Sequence, residues 1–587
     1  MSSPSRRAPE DDPYARWIQD YDRLSDEDRR QIREHIDGFA RKPLISVVMP
    51  AYDTPTALLR EAIASVQTQL YPFWELCIAD DASPSPQVAQ VLREAAAADP
   101  RIRWVRREQN GHISAATNTA LALASGEFVA LMDHDDLLPE TALYRVAAEI
   151  EAHPDLDMIY SDEDRVDGRG QRSHPYFKPG WSPELLSGHN MICHLGVYRR
   201  TMIESVGGLR LGFEGSQDWD LALRVTATTT PDRIRHIPAI LYHWRRSAEQ
   251  STFSQAFLDR CKAAGRQAVE DWIASEGDAG AVQPSRLVAD WQRVVYDLPS
   301  PAPRVALIVA DPDQSAPLDW FLSNLLDRTD WPQDKLEFVI ANGGAPPADL
   351  LGANWMDSEP KAYAISVAGP TNRAALINLA LRESQGEVVV ILDGGLRPQE
   401  RDWLANLVRL AMRRGVGLVG AKLLDRHGSL HHAGYFLNAK GEVETVSRPV
   451  PADDPGYFGQ LGLARSASAI SGSCMAAQRE VLEVVGDFDE SLSILSEVDF
   501  CLRLRSRGYR VVWTPDAMLA YVDEAPPVAP SSAAETAIIH HRWGKLLTED
   551  PYNNPNLRLM QEGGSAKATV PTKPWKRSAR HPEAFCA

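Results

Sequence analysis

The chain has 587 residues, 44% of them hydrophobic, and a formal net charge of −18 at pH 7. That length exceeds one ordinary hydrophobic core and predicts two or three domains. The acidic balance argues against nucleic acid as a partner, since nothing in it would attract phosphates in bulk.

In chain order, residues 1–13 are polar and expected to be disordered, with no apolar stretch that would make a signal peptide. Residues 14–40 place Trp17, Ile18, Tyr21, Leu24, Ile32 and Ile36 as an apolar stripe among charges, which predicts a short helical segment over 1–42. At Pro43 the pattern changes. Leu44 to Met49 is a short apolar, β-branched run that reads as a buried strand. Leu59, Ala62, Val66 and Leu70 recur at helical spacing. Strands are expected at Leu76–Ala79, Ile102–Val105 and Phe128–Met132, and helices at Pro86–Ala98 and His112–Leu123. Alternating strands and helices predict an α/β fold with a mostly parallel, Rossmann-like sheet over 43–255. In such sheets ligands bind beyond the carboxyl ends of the strands. Those ends carry Tyr52-Asp53, Asp80-Asp81 and Asp133-His134-Asp135-Asp136.

Residues 256–302 read as a helical connector ending in the stiff Pro299-Ser300-Pro301-Ala302-Pro303. A second α/β pattern starts at Val305 and runs to about Asp523. The tail, 524–587, is expected to be loose apart from a helix around Thr536–Leu546. No segment approaches the ~20 apolar residues of a membrane span. The six cysteines, Cys77, Cys193, Cys261, Cys474, Cys501 and Cys586, are scattered. That usage fits reduced thiols in a cytoplasmic protein.

The second half repeats the first. Ser125-Gly126-Glu127 and the following strand to Asp133 align with Gln385-Gly386-Glu387 and the strand to Asp393. The same offset pairs Asn118 with Asn378. Farther on, Gln217-Asp218-Trp219-Asp220 aligns with Ser496-Glu497-Val498-Asp499. Two motifs in one order indicate a duplicated domain.

Three groups of residues suggest chemistry. The carboxylates of Asp133 to Asp136 repel one another and are costly to bury unpaired; a divalent cation such as Mg²⁺ or Mn²⁺ removes that cost, whereas a solvated acidic turn would need none. Asp218 and Asp220 open an amphipathic stretch. One can serve the helix N-terminus while the other acts as a general base. In Tyr242-His243-Trp244-Arg245-Arg246, the histidine can ligate a metal and arginine can grip a diphosphate, or the run is a basic surface turn.

Taken together, Val48 to Tyr52, Asp80 to Ser83, Asn110 to Asn118, Asp133 to Asp136 and Gln217 to Asp220 followed by Tyr242 to Arg245 occur in one order over residues 43–255. In these the chain resembles the family 2 glycosyltransferases of GT-A fold, and within them the multi-domain transferases of O-antigen, rhamnan and other surface-polysaccharide assembly. Ser161-Asp162-Glu163-Asp164 and Lys178 to Pro183 are also similar to that subgroup. The resemblance implies two tandem GT-A domains and an inverting transfer from a UDP- or dTDP-linked sugar to a glycan or lipid-linked glycan acceptor. It implies a nucleotide site of Pro50, Tyr52, Asp81, Asn110, Gly111, Asp133 and Arg245. It implies a Mn²⁺ or Mg²⁺ site of Asp133, Asp135, Asp136 and His243, with Asp135 favoured as the direct ligand, and Asp218 as the catalytic base. Lipid-linked acceptors would bring the protein to the inner face of the membrane without crossing it, where Lys567, Lys573, Lys576, Arg577 and Arg580 could touch anionic lipid.

Rival readings fit less well. A phosphatase-like nucleophile loop would follow the first strand, not the fourth. A nucleotidyltransferase would carry a glycine- and lysine-rich phosphate loop. A non-catalytic carbohydrate-binding scaffold would not keep the full first-half constellation. The second half, 303–523, is expected to be degenerate: Asn342-Gly343-Gly344 stands where Asp80-Asp81 stood, Asp393-Gly394-Gly395 replaces the acidic cluster, and Val522 replaces His243. The alternative is a bifunctional chain with both halves active.

Overall fold

A computed structural model describes residues 12–246, 258–310, 318–343, 360–367, 371–437, 443–444, 449–493, 495–525, 532–548, 550–562 and 570–576. The readings made for residues 1–11, Gly344, Lys567, Arg577, Arg580 and Cys586 lie outside these. By compactness the chain forms two units. The first lies within Met1–Trp181, Asn190–Glu276 and Asn553–Cys586, the second within Ser182–His189 and Gly277–Tyr552.

The first unit is built on an eight-stranded sheet. Its strands are β1 (Ile45–Ala51), β2 (Trp74–Asp80), β3 (Ile102–Arg106), β4 (Phe128–Leu131), β5 (Met158–Val166), β6 (Arg172–Tyr176), β7 (Gly196–Arg199) and β8 (Ile234–Arg245). The order is β3-β2-β1-β4-β7-β5-β6, with β8 also on β5. The β1–β2, β2–β3, β1–β4 and β5–β8 pairs are parallel, while β7 runs antiparallel between β4 and β5. Every residue of β1 and β2 is buried, as expected for strands covered on both faces. Helices Thr56–Gln67, Pro86–Ala98 and Ala142–Ala152 each bury an apolar stripe.

The second unit repeats this plan. Its strands Lys361–Val367, Leu336–Gly343, Val305–Ala310, Val388–Leu392, Cys474–Gln478, Val416–Leu424 and Arg510–Tyr521 lie side by side in that order, matching β3-β2-β1-β4-β7-β5-β8 with the same parallel and antiparallel senses. The sequence repeats have physical causes. Asn118 makes a two-way hydrogen bond with the Leu209 backbone at 2.8 and 2.9 Å, and Asn378 does the same with Phe488 at 2.9 and 2.8 Å. Each tethers a helix to a distant loop with both backbone groups satisfied. A buried glutamate, Glu75 or Glu337, accepts from the two backbone N–H groups that lead into the central strand. The glycine in that turn is obligatory. A Cβ at Gly126 would sit 2.6 Å from the Leu44 carbonyl, and one at Gly386 would strike the Ala306 backbone.

Expectations about the tail and the connector change. The tail is not loose where it is described. Helix Ala533–Thr548 belongs to the second unit, and a further helix, Pro555–Glu562, buries Leu557 and Leu559 in the first. The Asn554 amide donates to both oxygens of buried Asp162 at 3.0 Å, and Trp575 donates to Asp28 at 2.8 Å while packing beside Tyr144. Asp162 already has the Lys178 N–H and His236, and Asp28 has Ser25; the tail's amide and indole add to these partners and tie the tail to the first unit. The connector opens with helix Leu258–Ser275 as expected, but continues as a hairpin of Gly280–Pro284 and Gln292–Tyr296. The hairpin was hidden because its strands show no clear alternation of burial.

Candidate active site

Parallel strands deliver their carboxyl ends to one edge of the sheet. In β1 and β2, Ala51 pairs with Asp80, so Tyr52, Asp53 and Asp81 leave the sheet side by side. Asp53 and Ala82 take positive φ, 46° and 58°, a conformation non-glycine residues hold only when surroundings impose it. Asp80 is structural: fully buried, it accepts from the Ser83 N–H at 2.9 Å and from Arg106 at 2.6 Å. Asp81 accepts from the Gly111 N–H at 3.0 and 3.1 Å and is ion-paired to Arg107. The Asn110 amide donates to the Asp81 carbonyl at 3.3 Å. Thus Asp81, Asn110 and Gly111 lie together. Tyr52 beside them is about half exposed, at 47%. Pro50 lies within β1, its carbonyl 3.0 Å from the His134 ring.

The acidic run after β4 is held by β8. The Tyr242 hydroxyl accepts from the Asp133 N–H at 3.1 Å and donates to Asp136 at 2.6 Å. The other Asp136 oxygen accepts from the Arg245 N–H at 2.6 Å. The Arg245 side chain donates to the Asp135 carbonyl at 2.8 Å and to Glu61 at 2.6 Å, so it braces the run from behind. Burial and mutual repulsion push the Asp136 carboxyl well above the usual range, and burial also raises that of Asp135.

Among the described residues, Asp133, Asp136 and His194 place one ligand-type atom each within 4.8 Å of one another. The expected set had Asp135 and His243 beside Asp133 and Asp136; the structure gathers His194 instead. Successive side chains of a strand face opposite ways. Tyr242 takes the acidic side, so His243 faces its register partner Asp164, to which its Nδ1 lies 2.5 Å. Asp164, fully buried, also binds Tyr14 and Arg172 at 2.5 Å. The Ser161-Asp162-Glu163-Asp164 run is therefore a buried support. Its Glu163 accepts from Lys178 at 2.9 Å and from the His194 N–H at 3.0 Å. The His194 ring stacks on Tyr242 at 4.3 Å. Nothing near His194 in sequence marks it; only the β4–β7 pairing brings it beside Asp133.

Helix Gln217–Thr226 separates the two carboxylates left open above. Its N-cap is Ser216, so Asp218 and Asp220 both occupy the first turn. Asp220 is fully buried and clamped by Arg224 at 2.7 Å and by Arg210, which makes it part of the fold. Asp218 instead accepts from Asn190 at 2.7 Å. Burial raises its carboxyl and neighbouring Asp133 raises it further, while His194 opposes the shift. Asn190, which no motif in the sequence singles out, holds the Asp218 carboxylate.

The second unit holds Glu497 where Asp218 stands, bonded to the Tyr435 hydroxyl at 2.7 Å and the Gly472 N–H at 2.8 Å. Burial pushes its carboxyl from 4.5 up to about 7. A carboxyl raised on folding contributes its stability below its unfolded value and loses it as pH rises through about 7. Glu497→Gln is therefore expected to stabilise the chain more at pH 8 than at pH 5, by on the order of 2 kcal/mol. Urea unfolding at the two pH values checks this; an equal effect at both refutes it.

Residues 46–207 match the family model described as Glycosyl transferase family 2. A Sinorhizobium fredii protein, y4gI, described as uncharacterized, is 37% identical over 542 residues, 90% of this chain and 59% of its own length. The O-antigen biosynthesis protein RfbC of Myxococcus xanthus is 35% identical over 532 residues, 90% of this chain and 41% of its own. The chain thus spans about half the length of these curated relatives. Among solved structures, residues 1–349 of S. aureus TarS superpose with a TM-score of 0.31 at 17% identity, covering 40% of this chain and 71% of that one.

Proposed function

Since residues 46–207 match the family 2 glycosyltransferase model, we propose that the chain moves a sugar from a nucleotide-diphosphate donor to a glycan acceptor with inversion at the anomeric carbon. The observation that carries this reading is that Asp81, the Asp133–Asp136 run and Asp218 are all in the first unit, two of them at one edge of its sheet and the third a buried carboxyl raised by burial and by the charge of Asp133.

On this reading Asp81, Asn110, Gly111, Pro50 and Tyr52 receive the nucleotide. The acceptor hydroxyl loses its proton to the Asp218 carboxylate as its oxygen bonds to the anomeric carbon. The bond from that carbon to the diphosphate breaks, and the nucleoside diphosphate departs. Asn190 fixes the carboxylate for that transfer. A carboxylate is a weak base toward an alcohol, so positioning supplies most of the rate. Asp133, Asp136 and His194 fit a divalent cation: three ligand-type groups converge, and Asp136 is pushed toward its neutral form where no positive charge offsets its neighbours. Bound there, Mn²⁺ or Mg²⁺ would neutralise charge growing on the leaving diphosphate. A glycan of surface-polysaccharide assembly as acceptor, lipid-linked or free, belongs to the same proposal, and the M. xanthus relative's description as an O-antigen biosynthesis protein supports the glycan class.

The test is incubation of the full chain with UDP-, dTDP- and GDP-sugars, Mn²⁺ and glycan acceptors. Released nucleoside diphosphate with a glycosylated product supports the reading, and release of inorganic phosphate alone refutes it. A pH prediction follows from Asp218. The base works only when ionised, and its carboxyl is raised above the ordinary 3.8. The acid limb of kcat against pH is expected above that of an ordinary aspartate, and an Asp218→Asn variant should lose the limb.

A further inference from the structure

The second unit keeps the framework of the first around a different centre. Phe128 pairs with Arg199 in β4 and β7, and Val388 with Gln478 in the repeat, in the same antiparallel register. Carrying that register past the strand ends puts Asp393 at the place of Asp133 and Ser473 at the place of His194. The clamp of Asp220 by Arg224 recurs as Asp499 by Arg503, at 2.7 and 2.8 Å, which puts Glu497 at the place of Asp218. The Tyr521 hydroxyl donates to Asp393 at 3.0 Å, as Tyr242 does to Asp136. Gly394 and Gly395 stand for His134 and Asp135, so one aspartate remains of three.

That aspartate is not left without a positive charge. Helix Arg373–Glu383 repeats His112–Leu121 through the Asn118 and Asn378 tethers, and its first residue falls where the first unit has Ile113. The Arg373 guanidinium lies 2.6 Å from an Asp393 oxygen. It also donates to the Ala310 carbonyl at 2.5 Å and to the Gly472 carbonyl at 2.9 Å. Three acceptors from three segments are gathered around one planar fork, which stays charged at any working pH.

We propose that Arg373 is a resident cation of the second unit, standing where a divalent ion would stand, so that this unit is a metal-free copy that admits no ion of its own. The rest of the centre agrees. Ser473 offers a hydroxyl in place of an imidazole, and Glu497, whose carboxyl burial raises to about 7, carries only part of a negative charge at pH 7. An isoleucine at the equivalent place in the first unit leaves its acids in need of an external ion.

The proposal rests on the functional reading above only for the ion of the first unit, and two measurements keep the two apart. In the first, Mn²⁺ binding to the full chain is counted by electron paramagnetic resonance. One ion per chain is expected, lost in Asp133→Asn and kept in Asp393→Asn. Two ions, or loss of one in Asp393→Asn, overturns the proposal. The second needs no metal: a double-mutant cycle of Arg373→Met and Asp393→Asn followed by urea unfolding. Each single change should lower the unfolding midpoint, the pair should recover most of the loss, and Arg373→Lys should lose less than Arg373→Met. Additive losses, with no rescue by lysine, overturn it. Binding of no ion at all would sink the metal site of the first unit, and the cycle would still decide the role of Arg373.

Discussion

Asp218→Asn is expected to lower turnover by about 10³-fold while leaving donor affinity within about twofold, since a positioned general base contributes roughly 10²–10⁴. The amide keeps the size of the side chain and its bond to Asn190, so the helix start is preserved. What it loses is the capacity to take a proton. The comparison that makes the test specific is Asp220→Asn. That carboxylate is buried between Arg210 and Arg224, and neutralising it leaves two guanidiniums short of a partner. Asp220→Asn should therefore lower the unfolding midpoint, with turnover falling only as folded protein is lost. Asp218→Asn should show the opposite split. Near wild-type turnover in Asp218→Asn would reduce Asp218 to a favourable charge at a helix N-terminus.

Removing the divalent ion is expected to have an effect of similar size. Chelation by EDTA should abolish transfer, and Mn²⁺ or Mg²⁺ should restore it. Asp133→Asn should lower kcat/KM by about three orders of magnitude, the scale set by losing several kcal/mol of charge stabilisation at ~1.4 kcal/mol per decade. Asp133 suits the test better than Asp136, because both oxygens of Asp136 hold the Tyr242 hydroxyl and the Arg245 N–H in place. His194→Ala provides an independent check, since it removes a member of the gathered set without altering the charge of the acidic run. His243→Ala distinguishes the two possible histidines. Its Nδ1 is engaged by Asp164, so an equal loss in His243→Ala, with Mn²⁺ affinity reduced and His194→Ala unaffected, would return the site to the set first expected from the sequence. Full activity in EDTA would remove the cation from the mechanism.

The first four strands and the acids at their ends were legible in the sequence because both are local. A buried strand is a short apolar run, and the residue after it faces the sheet edge wherever the strand lies. The duplication was legible for the same reason: Asn118 and Asn378, Gly126 and Gly386, and Asp220 and Asp499 each answer a requirement of backbone geometry or helix packing that both units share. Tertiary structure decided what depends on pairing across long separations. His194 reaches Asp133 only through the antiparallel register of β7 on β4, and His243 is turned to Asp164 by strand alternation against Tyr242. Asn554 and Trp575 return from the tail to Asp162 and Asp28, contacts between residues so far apart along the chain that no local pattern shows them. Arg373 looks in sequence like one more charged residue at a helix start. Its meaning comes from Asp393, Ala310 and Gly472, which converge on it from three separate segments.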